Sequence, residues 1–144
     1  MTDKSPLAMK TDALLRLYAE GMRDFSSVNL VAADLRNVKL KGIKLCEADL
    51  GEAQLQGADL SEADLCDANF ESADLSGTQF QRANLSGANL SHANVRDANF
   101  SQARLVAANF FGSVGEFISH EAIFQQTINA AGNIIRGSHL PQKR

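Results

Sequence analysis

The sequence has few of the residues on which metal sites and catalytic sites depend. Only two cysteines, Cys46 and Cys66, and three histidines occur among its 144 residues, and they form no CxxC pair. No zinc motif can therefore be drawn from sequence spacing. A glycine-rich phosphate loop is missing as well, and aspartate is too frequent for paired carboxylates to indicate acid–base catalysis. We expect no enzyme activity, no metal and no cofactor.

Basic charge and long apolar runs are also scarce. Charged residues make up 22% of the chain, the formal net charge is -3 and the pI is about 5.5, which disfavours nucleic acid as a partner. No segment approaches the roughly 18 apolar residues of a membrane span, and the N-terminus lacks the pattern of a signal peptide. These absences predict a cytoplasmic protein with neither a nucleic-acid nor a membrane partner.

What the sequence does contain is a large apolar residue at every fifth position from Phe25 to Phe110. None of these eighteen central residues is polar, and the residue two places earlier is alanine in thirteen cases. Five residues advance an α-helix by about 140°, which would wind the central residues around it. In a strand, an odd period would send them to alternating faces. The chain must therefore bend once per repeat and form a solenoid, with the central residue and the alanine inside.

The residues after each central residue suit such a bend. Ser76-Gly77, Ser86-Gly87 and Asp67 have side chains that tolerate turn conformations. The corners of the solenoid are therefore predicted to lie at the two positions that follow each central residue.

The tandem A(D/N)Lxx pattern resembles the pentapeptide-repeat family, as in Ala58-Asp59-Leu60, Ala63-Asp64-Leu65 and Ala68-Asn69-Phe70. The resemblance implies an all-β solenoid, a right-handed quadrilateral parallel β-helix with one repeat per side. Residues 20 apart would then stack in neighbouring coils, and eighteen repeats would make about 4.5 coils. The segment LLRLYAEGMRDF also resembles the entry segment of cyanobacterial members.

The ends of the solenoid need covers, because each coil contacts only its neighbours. Residues 1–24 are predicted to form an N-terminal cap with a short helix, and the β-helix is predicted over 25–112. A C-terminal cap is expected over 113–135, and 136–144 is expected to be a frayed tail.

The C-terminal cap has two interpretations. Ser113 to Glu116 resembles a capping box, and Phe117, Phe124 and Ile128 follow at helical spacing, which favours a helix. In the rival interpretation, Ala122-Ile123-Phe124 is a displaced repeat in a degenerate extra coil. The apolar residues Phe111, Val114, Phe117 and Phe124 would serve as a cap or as the surface of a homodimer, since family members often pair through this end.

The outward residues are segregated by charge. Four basic residues lie between Arg36 and Lys44, and only acidic charges follow up to Asp74. This acidic belt consists of Glu47, Asp49, Glu52, Asp59, Glu62, Asp64, Asp67, Glu71 and Asp74. One interpretation is a set of inter-coil ion pairs, with Lys44 between Asp24 and Asp64 and Lys39 beside Asp59. The other is a docking surface for a basic partner.

Cys46 and Cys66 are 20 residues apart, so the four-sided fold would place them in adjacent coils. Reduced thiols are the ordinary expectation in a cytoplasmic protein. The strand spacing of about 4.8 Å also lies within the range of disulfide Cα separations, so a reversible redox pair is an alternative.

These features predict a non-catalytic scaffold or protein–protein interaction module with an unidentified protein partner. The resemblance suggests a second function, because some family members mimic DNA and bind type II topoisomerases such as gyrase. A mimic about 22 Å tall would carry about 13 negative charges, whereas the repeat region sums to -4. A redox-responsive module through the cysteines and a ligand binder built on the ends are the remaining alternatives.

Overall fold

A computed structural model describes residues 8–136, which form one helix followed by a four-sided parallel coil. The residue before each central residue, which we call the ladder residue, forms a parallel β-bridge with a ladder residue of the next coil. From Asp24 to Asn94 the partner lies 20 positions on, as Lys44 does from Asp24. Four repeats therefore complete one coil, as predicted. No helix among residues 8–136 is long and apolar enough to cross a membrane.

The ladder residues define the four sides of the rod. The first side carries Asp24, Lys44, Asp64, Asn84, Arg104 and Ile123; the second carries Asn29, Asp49, Asn69, Asn89, Asn109 and Ile128; the third carries Asp34, Gln54, Asp74, Asn94 and Val114; the fourth carries Lys39, Asp59, Gln79, Asn99 and Ile118.

The core is the stack of central residues and alanines that the period of five predicted. All eighteen central residues are buried, from Phe25 to Phe110, with the alanines of the later coils beside them. The aromatic members pack on each other, and the rings of Phe80 and Phe100 stack with centroids 4.9 Å apart. Burial of each such side chain contributes about 1.5 to 3 kcal/mol before chain entropy is subtracted.

The N-terminal helix, α1 at Thr11–Ala19, packs on the first coil. Leu14 is fully buried in the core, and the Tyr18 hydroxyl donates a 2.6 Å hydrogen bond to the carbonyl of Lys41. Just before the helix, the Met9 amide donates to the Asn29 carbonyl, so the chain also pairs with the second side. This segment therefore lies at the end of the rod that a cap over 1–24 was expected to cover; residues 1–7 of that expected cap lie outside the described residues.

The C-terminal helix expected over 113–135 is wrong, because this segment, which the structure describes throughout, continues the coil. Val114, Ile118, Ile123 and Ile128 extend the third, fourth, first and second ladders, which adds one further coil to the expected 4.5. Ile123, with Ala122 and Phe124 buried on either side, forms the displaced repeat of the rival interpretation.

A short antiparallel hairpin ends the described chain. Strand β1 at Thr127–Ile128 pairs with β2 at Ile134–Ile135. The expected tail over 136–144 lies outside the described residues from 137 onward.

Two changes in the last coil explain why it resembles a helix in sequence. Only three residues separate Val114 from Ile118, so the period of five slips by one. The pattern of side chains also inverts, because the four ladder positions become aliphatic while three central positions become small or polar. Those three central residues are Gly115, Ser119 and Asn129.

Candidate interaction surfaces

The acidic belt encircles the rod instead of lying on one side. Asp64, Asp49, Asp74 and Asp59 are ladder residues of the first, second, third and fourth sides respectively. The other five carboxylates lie at corners. A partner that approaches one side therefore cannot contact all nine residues.

The ladder carboxylates of the belt bond to groups of their own surface. Asp59 Oδ1 accepts hydrogen bonds from the Ser61 amide at 2.9 Å and the Ser61 hydroxyl at 2.6 Å. Asp49 Oδ1 accepts from the amide of Gly51 and, across the coils, from Asn69 Nδ2, both at 3.0 Å. Such bonds hold the corners and join adjacent coils, so these carboxylates have a structural role.

One corner carries inter-coil ion pairs, but between residues other than those that the sequence suggested. Glu62 lies between Lys41, at 3.2 Å, and Arg82, at 4.0 Å. Arg82 Nε donates to Gln102 Oε1, and Gln102 Nε2 donates to Glu121, each at 2.9 Å. The side chains of both pairs are 44 to 66% exposed, so each pair contributes at most about 1 kcal/mol.

The two pairings expected from the sequence place the residues side by side without an ion pair. Lys44 is bridged to Asp24 and Asp64, and Lys39 to Asp59, as the 20-residue spacing predicted. Within residues 8–136, however, no ion pair within 4.0 Å joins these lysines to those carboxylates. Both lysines are exposed, so water solvates their ammonium groups.

The remaining corner carboxylates flank the second side. Glu47 and Asp67 are exposed at its corner with the first side, and Glu52 and Glu71 at its corner with the third. Asp49 lies between them on the ladder. We call these five residues the acidic face. The belt is evident in the sequence but this face is not, because the assignment of each residue to a corner depends on the four-sided fold.

Cys46 and Cys66 occupy the same corner as Glu47 and Asp67. Their Cα atoms are 4.7 Å apart, and the structure joins them in a disulfide instead of leaving reduced thiols. Reversible opening of this bond stays a prediction.

Among residues 8–136, exposed apolar side chains are concentrated at the C-terminal end. Val114 and Ile118 are each 52% exposed and Ile123 is 43% exposed, at ladder positions that are polar in every earlier coil. We call these three the aliphatic ring. Phe111, one of the four apolar residues singled out from sequence, is also exposed, whereas Phe117 and Phe124 pack inward. The ring was missed because Ile118 and Ile123 do not fit the period of the preceding repeats.

An apolar cavity opens beside this ring. It has a volume of about 290 Å³ and is lined chiefly by apolar groups, among them Phe110, Phe117, Phe124 and Ile135. It lies at the end of the core, where a further coil would otherwise stack.

Comparisons with known proteins agree with the repeat. The family described as Pentapeptide repeats matches residues 48–87 and 83–113, with eight copies. A crystal structure of a pentapeptide repeat protein from Nostoc is 37% identical, with 67% of this chain and 82% of that chain covered and a TM-score of 0.40. No curated protein matches this chain.

Two further solved structures are similar. A pentapeptide repeat protein from the Arabidopsis thaliana thylakoid lumen is 29% identical, over 63% of this chain and 60% of that chain, with a TM-score of 0.41. QnrB1, a plasmid-mediated fluoroquinolone resistance protein, is 13% identical, over 79% of this chain and 73% of that chain, with a TM-score of 0.49.

Pentapeptide repeat proteins form right-handed quadrilateral β-helices and are generally non-catalytic scaffolds. On its eighteen repeats, its four-sided coil and the 37% identity to the Nostoc protein, this chain belongs to the pentapeptide-repeat family.

Proposed function

We propose that this protein is a non-catalytic interaction module whose acidic face binds a basic surface of a partner protein. The observation that carries the proposal is the placement of Glu47, Glu52, Asp67 and Glu71 on both corners of one side. Each corner is fixed by backbone hydrogen bonds between coils, such as Glu47 N to the Cys66 carbonyl at 2.9 Å. A charged surface on a rigid backbone loses little freedom on binding, which favours its use as a docking site.

The proposal includes no enzyme activity and no cofactor, and it places the protein in the cytoplasm. The first part is supported by the described coils, which are filled by their own side chains, so that the regular sides offer no concave surface for a substrate. The apolar cavity at the C-terminal end contains few polar groups that could orient a reacting molecule.

The DNA-mimic alternative finds less support in this arrangement. A mimic of duplex DNA needs negative charge along the rod, about one charge per 1.7 Å. Here the acidic belt runs only from Glu47 to Asp74, which is about a coil and a half, and Arg82, Arg96 and Arg104 follow. If this alternative holds, excess protein inhibits DNA gyrase supercoiling. An unaffected supercoiling rate removes it.

The test compares two variants with the same change in net charge. The face variant carries Glu47→Gln, Glu52→Gln, Asp67→Asn and Glu71→Gln. The control variant neutralises four exposed acidic residues outside the face: Asp12→Asn, Glu20→Gln, Asp97→Asn and Glu121→Gln. Both are used with the wild type to capture proteins from the native host at two salt concentrations, and bound proteins are quantified by mass spectrometry.

We expect one basic partner to be lost with the face variant, retained with the control variant, and weakened by salt. Equal loss with both variants would assign the effect to net charge alone. A partner that both variants retain would exclude the acidic face as its site.

A further inference from the structure

We propose that the reduced thiolates of Cys46 and Cys66, together with the Asp64 carboxylate, bind a Zn²⁺ ion, and that the disulfide closes this site. One ligand atom from each of the three residues can be chosen such that all three lie within 4.8 Å of one another. All three residues are half-buried, so an ion from solvent can reach them. The inference is independent of the proposed docking function.

The fold brings the three ligands together although the sequence contains no metal motif. Cys46 and Cys66 each follow a central residue, Leu45 and Leu65, so they stack at one corner in adjacent coils with Cα atoms 4.7 Å apart. Asp64 lies two residues before Cys66, on the adjoining side. A spacing of 20 residues is local in this fold because one coil has that length.

The Asp64 carboxylate is held in place from two directions. Its Oδ1 accepts a hydrogen bond from the Cys66 amide at 3.4 Å and another from Asn84 Nδ2, one coil further on, at 3.5 Å. Cys46 Sγ lies 3.9 Å from the backbone carbonyl oxygen of the same aspartate. Outer-shell hydrogen bonds of this kind fix the orientation of a ligand and strengthen metal binding.

The donor set selects the class of ion. Two sulfurs and one carboxylate oxygen suit Zn²⁺, which binds thiolate at about 2.3 Å and carboxylate at about 2.0 to 2.2 Å in tetrahedral geometry. Mg²⁺ and Ca²⁺ prefer sets made of oxygen only, so they are disfavoured here. Three protein ligands leave the fourth position to water. Glu47 and Asp67, at the same corner, add negative charge that favours a dication, while Lys44 on the adjoining ladder opposes it.

The oxidation state of the cysteines decides whether the site exists. In the disulfide both sulfurs are bonded to each other and only Asp64 remains as an anionic ligand. A dithiol reductant opens the bond by supplying two electrons and two protons, and becomes a disulfide itself. Zn²⁺ then replaces the two thiol protons, which pass to solvent.

The test uses the untagged full chain in both oxidation states. Protein reduced with dithiothreitol and then freed of it without oxygen is titrated with Zn²⁺ in competition with a chromophoric chelator, and with Co²⁺ for its thiolate charge-transfer absorption. We expect one equivalent to bind to the reduced protein, and the affinity of the oxidised protein to be lower by at least about a hundredfold, since two of three ligands are lost.

Three variants locate the ion. Cys46→Ser abolishes the charge-transfer band and stoichiometric binding. Asp64→Asn introduces the asparagine that the same side carries one coil further on, at Asn84. It weakens Zn²⁺ binding by at least about tenfold, since the loss of an outer-shell partner alone has an effect of that size. Asp49→Asn is the matched control, because Asp49 also accepts a hydrogen bond from an asparagine one coil on but has no sulfur beside it. We expect it to leave the affinity unchanged, and circular dichroism checks that all three variants fold.

Several outcomes overturn the proposal. Absence of stoichiometric Zn²⁺ binding by the reduced chain removes the site. Equal binding by oxidised protein, or binding that survives Cys46→Ser, places the ion elsewhere. If Asp64→Asn binds as tightly as Asp49→Asn, the carboxylate is not a ligand.

Discussion

The second corner residue of each repeat has a positive φ in all eighteen repeats, and only five of these residues are glycine. Left-handed backbone costs a non-glycine residue roughly 1 to 2 kcal/mol, so many repeats carry a local cost that burial of the central residue offsets. At Ala107, φ is 59° and the side chain is exposed. This position separates the backbone cost from any side-chain contribution.

We expect Ala107→Gly to stabilise the protein by about 0.5 to 1 kcal/mol. Relief of the left-handed strain exceeds the roughly 0.4 to 1 kcal/mol that glycine costs through a freer unfolded chain. The matched control is the adjacent Ala108→Gly, because Ala108 is fully buried. It should destabilise by about 1 kcal/mol. Urea unfolding of both variants measures the difference, and the same sign for both would contradict the argument.

Asp34 and Arg36 form a two-pronged ion pair at the surface. Arg36 Nε and Nη2 donate to the two carboxylate oxygens at 2.8 Å each, and the Arg36 amide donates at 3.3 Å. These bonds lower the pKa of Asp34 to about 2. Since the unfolded value is near 3.9, the contribution of Asp34 to stability is present above about pH 4 and is lost as the pH falls through about 2.

A titration of the Asp34 carboxyl carbon by NMR should therefore have its midpoint near 2. Arg36→Gln removes the charge and the two side-chain bonds, so the midpoint should rise toward the ordinary value. Arg82→Gln is the control, because Arg82 contacts Glu62 and Gln102 and not Asp34. A midpoint that does not move in Arg36→Gln would show that the amide bond alone lowers the pKa.

At the scale of elements, α1 is the only helix among residues 8–136, and it packs on the first coil mainly through Leu14. Leu14→Ala should destabilise the protein by about 2 to 5 kcal/mol, because it opens a cavity at the end of the core. Since each coil contacts only its neighbours, the loss should be greatest at that end. Amide hydrogen exchange should accelerate in the first coil much more than in the coils beyond Leu85.

Arg16→Ala is the control for this prediction, since Arg16 is exposed and pairs only weakly with Glu20, at 3.5 Å. It should leave the exchange pattern nearly unchanged. Uniform acceleration along the whole rod in Leu14→Ala would mean that the coils unfold as one cooperative unit.

The two ends also show how far the sequence predicts this fold. The coil over Phe25 to Phe110 could be predicted because one simple rule, an apolar residue every fifth position, holds without exception. The last coil could not, since its ladder residues are aliphatic and Gly115 and Ser119, in place of a large apolar residue, follow two of them. There, backbone hydrogen bonds to the preceding coil, such as Ile118 N to the Ala98 carbonyl, maintain the coil although the side-chain pattern is lost.

The candidate sites were predictable only in part, because the sequence shows their residues but not which residues the coil brings together. The nine acidic residues and both cysteines are evident in the sequence, but their neighbours depend on the length of a coil. Asp64 joins the cysteines because the four-sided coil places a ladder residue beside a corner. The aliphatic ring depends on a one-residue slip between Val114 and Ile118, which no periodicity reveals.

At the scale of the whole molecule, the two ends of the rod differ. At the N-terminal end α1 packs on the first coil, whereas at the C-terminal end the aliphatic ring is exposed on three sides and the apolar cavity opens. Exposed apolar surface of this kind is typical of a protein interface. We therefore expect a homodimer through the C-terminal end, which buries the ring of each protomer against its partner.

Restoring polar ladder residues tests this dimer without disturbing the coil. Val114→Asn and Ile118→Asn place at the last coil the residues that the same sides carry one coil earlier, Asn94 and Asn99. Because the equivalent positions one coil earlier carry asparagine, the double variant should fold and yet be monomeric. Sedimentation equilibrium over a hundredfold range of concentration should give a dimer mass for the wild type and a monomer mass for the variant.

The control is Val31→Asn, which removes an exposed aliphatic side chain from the opposite end, where Val31 is 42% exposed. Its mass should equal that of the wild type, since the first coil does not take part in the expected contact. A wild type that stays monomeric throughout, or a dimer that Val31→Asn disrupts as fully as the double variant does, would exclude the C-terminal interface. Loss of the dimer in the double variant alone would instead identify the last coil as the surface through which two rods join end to end.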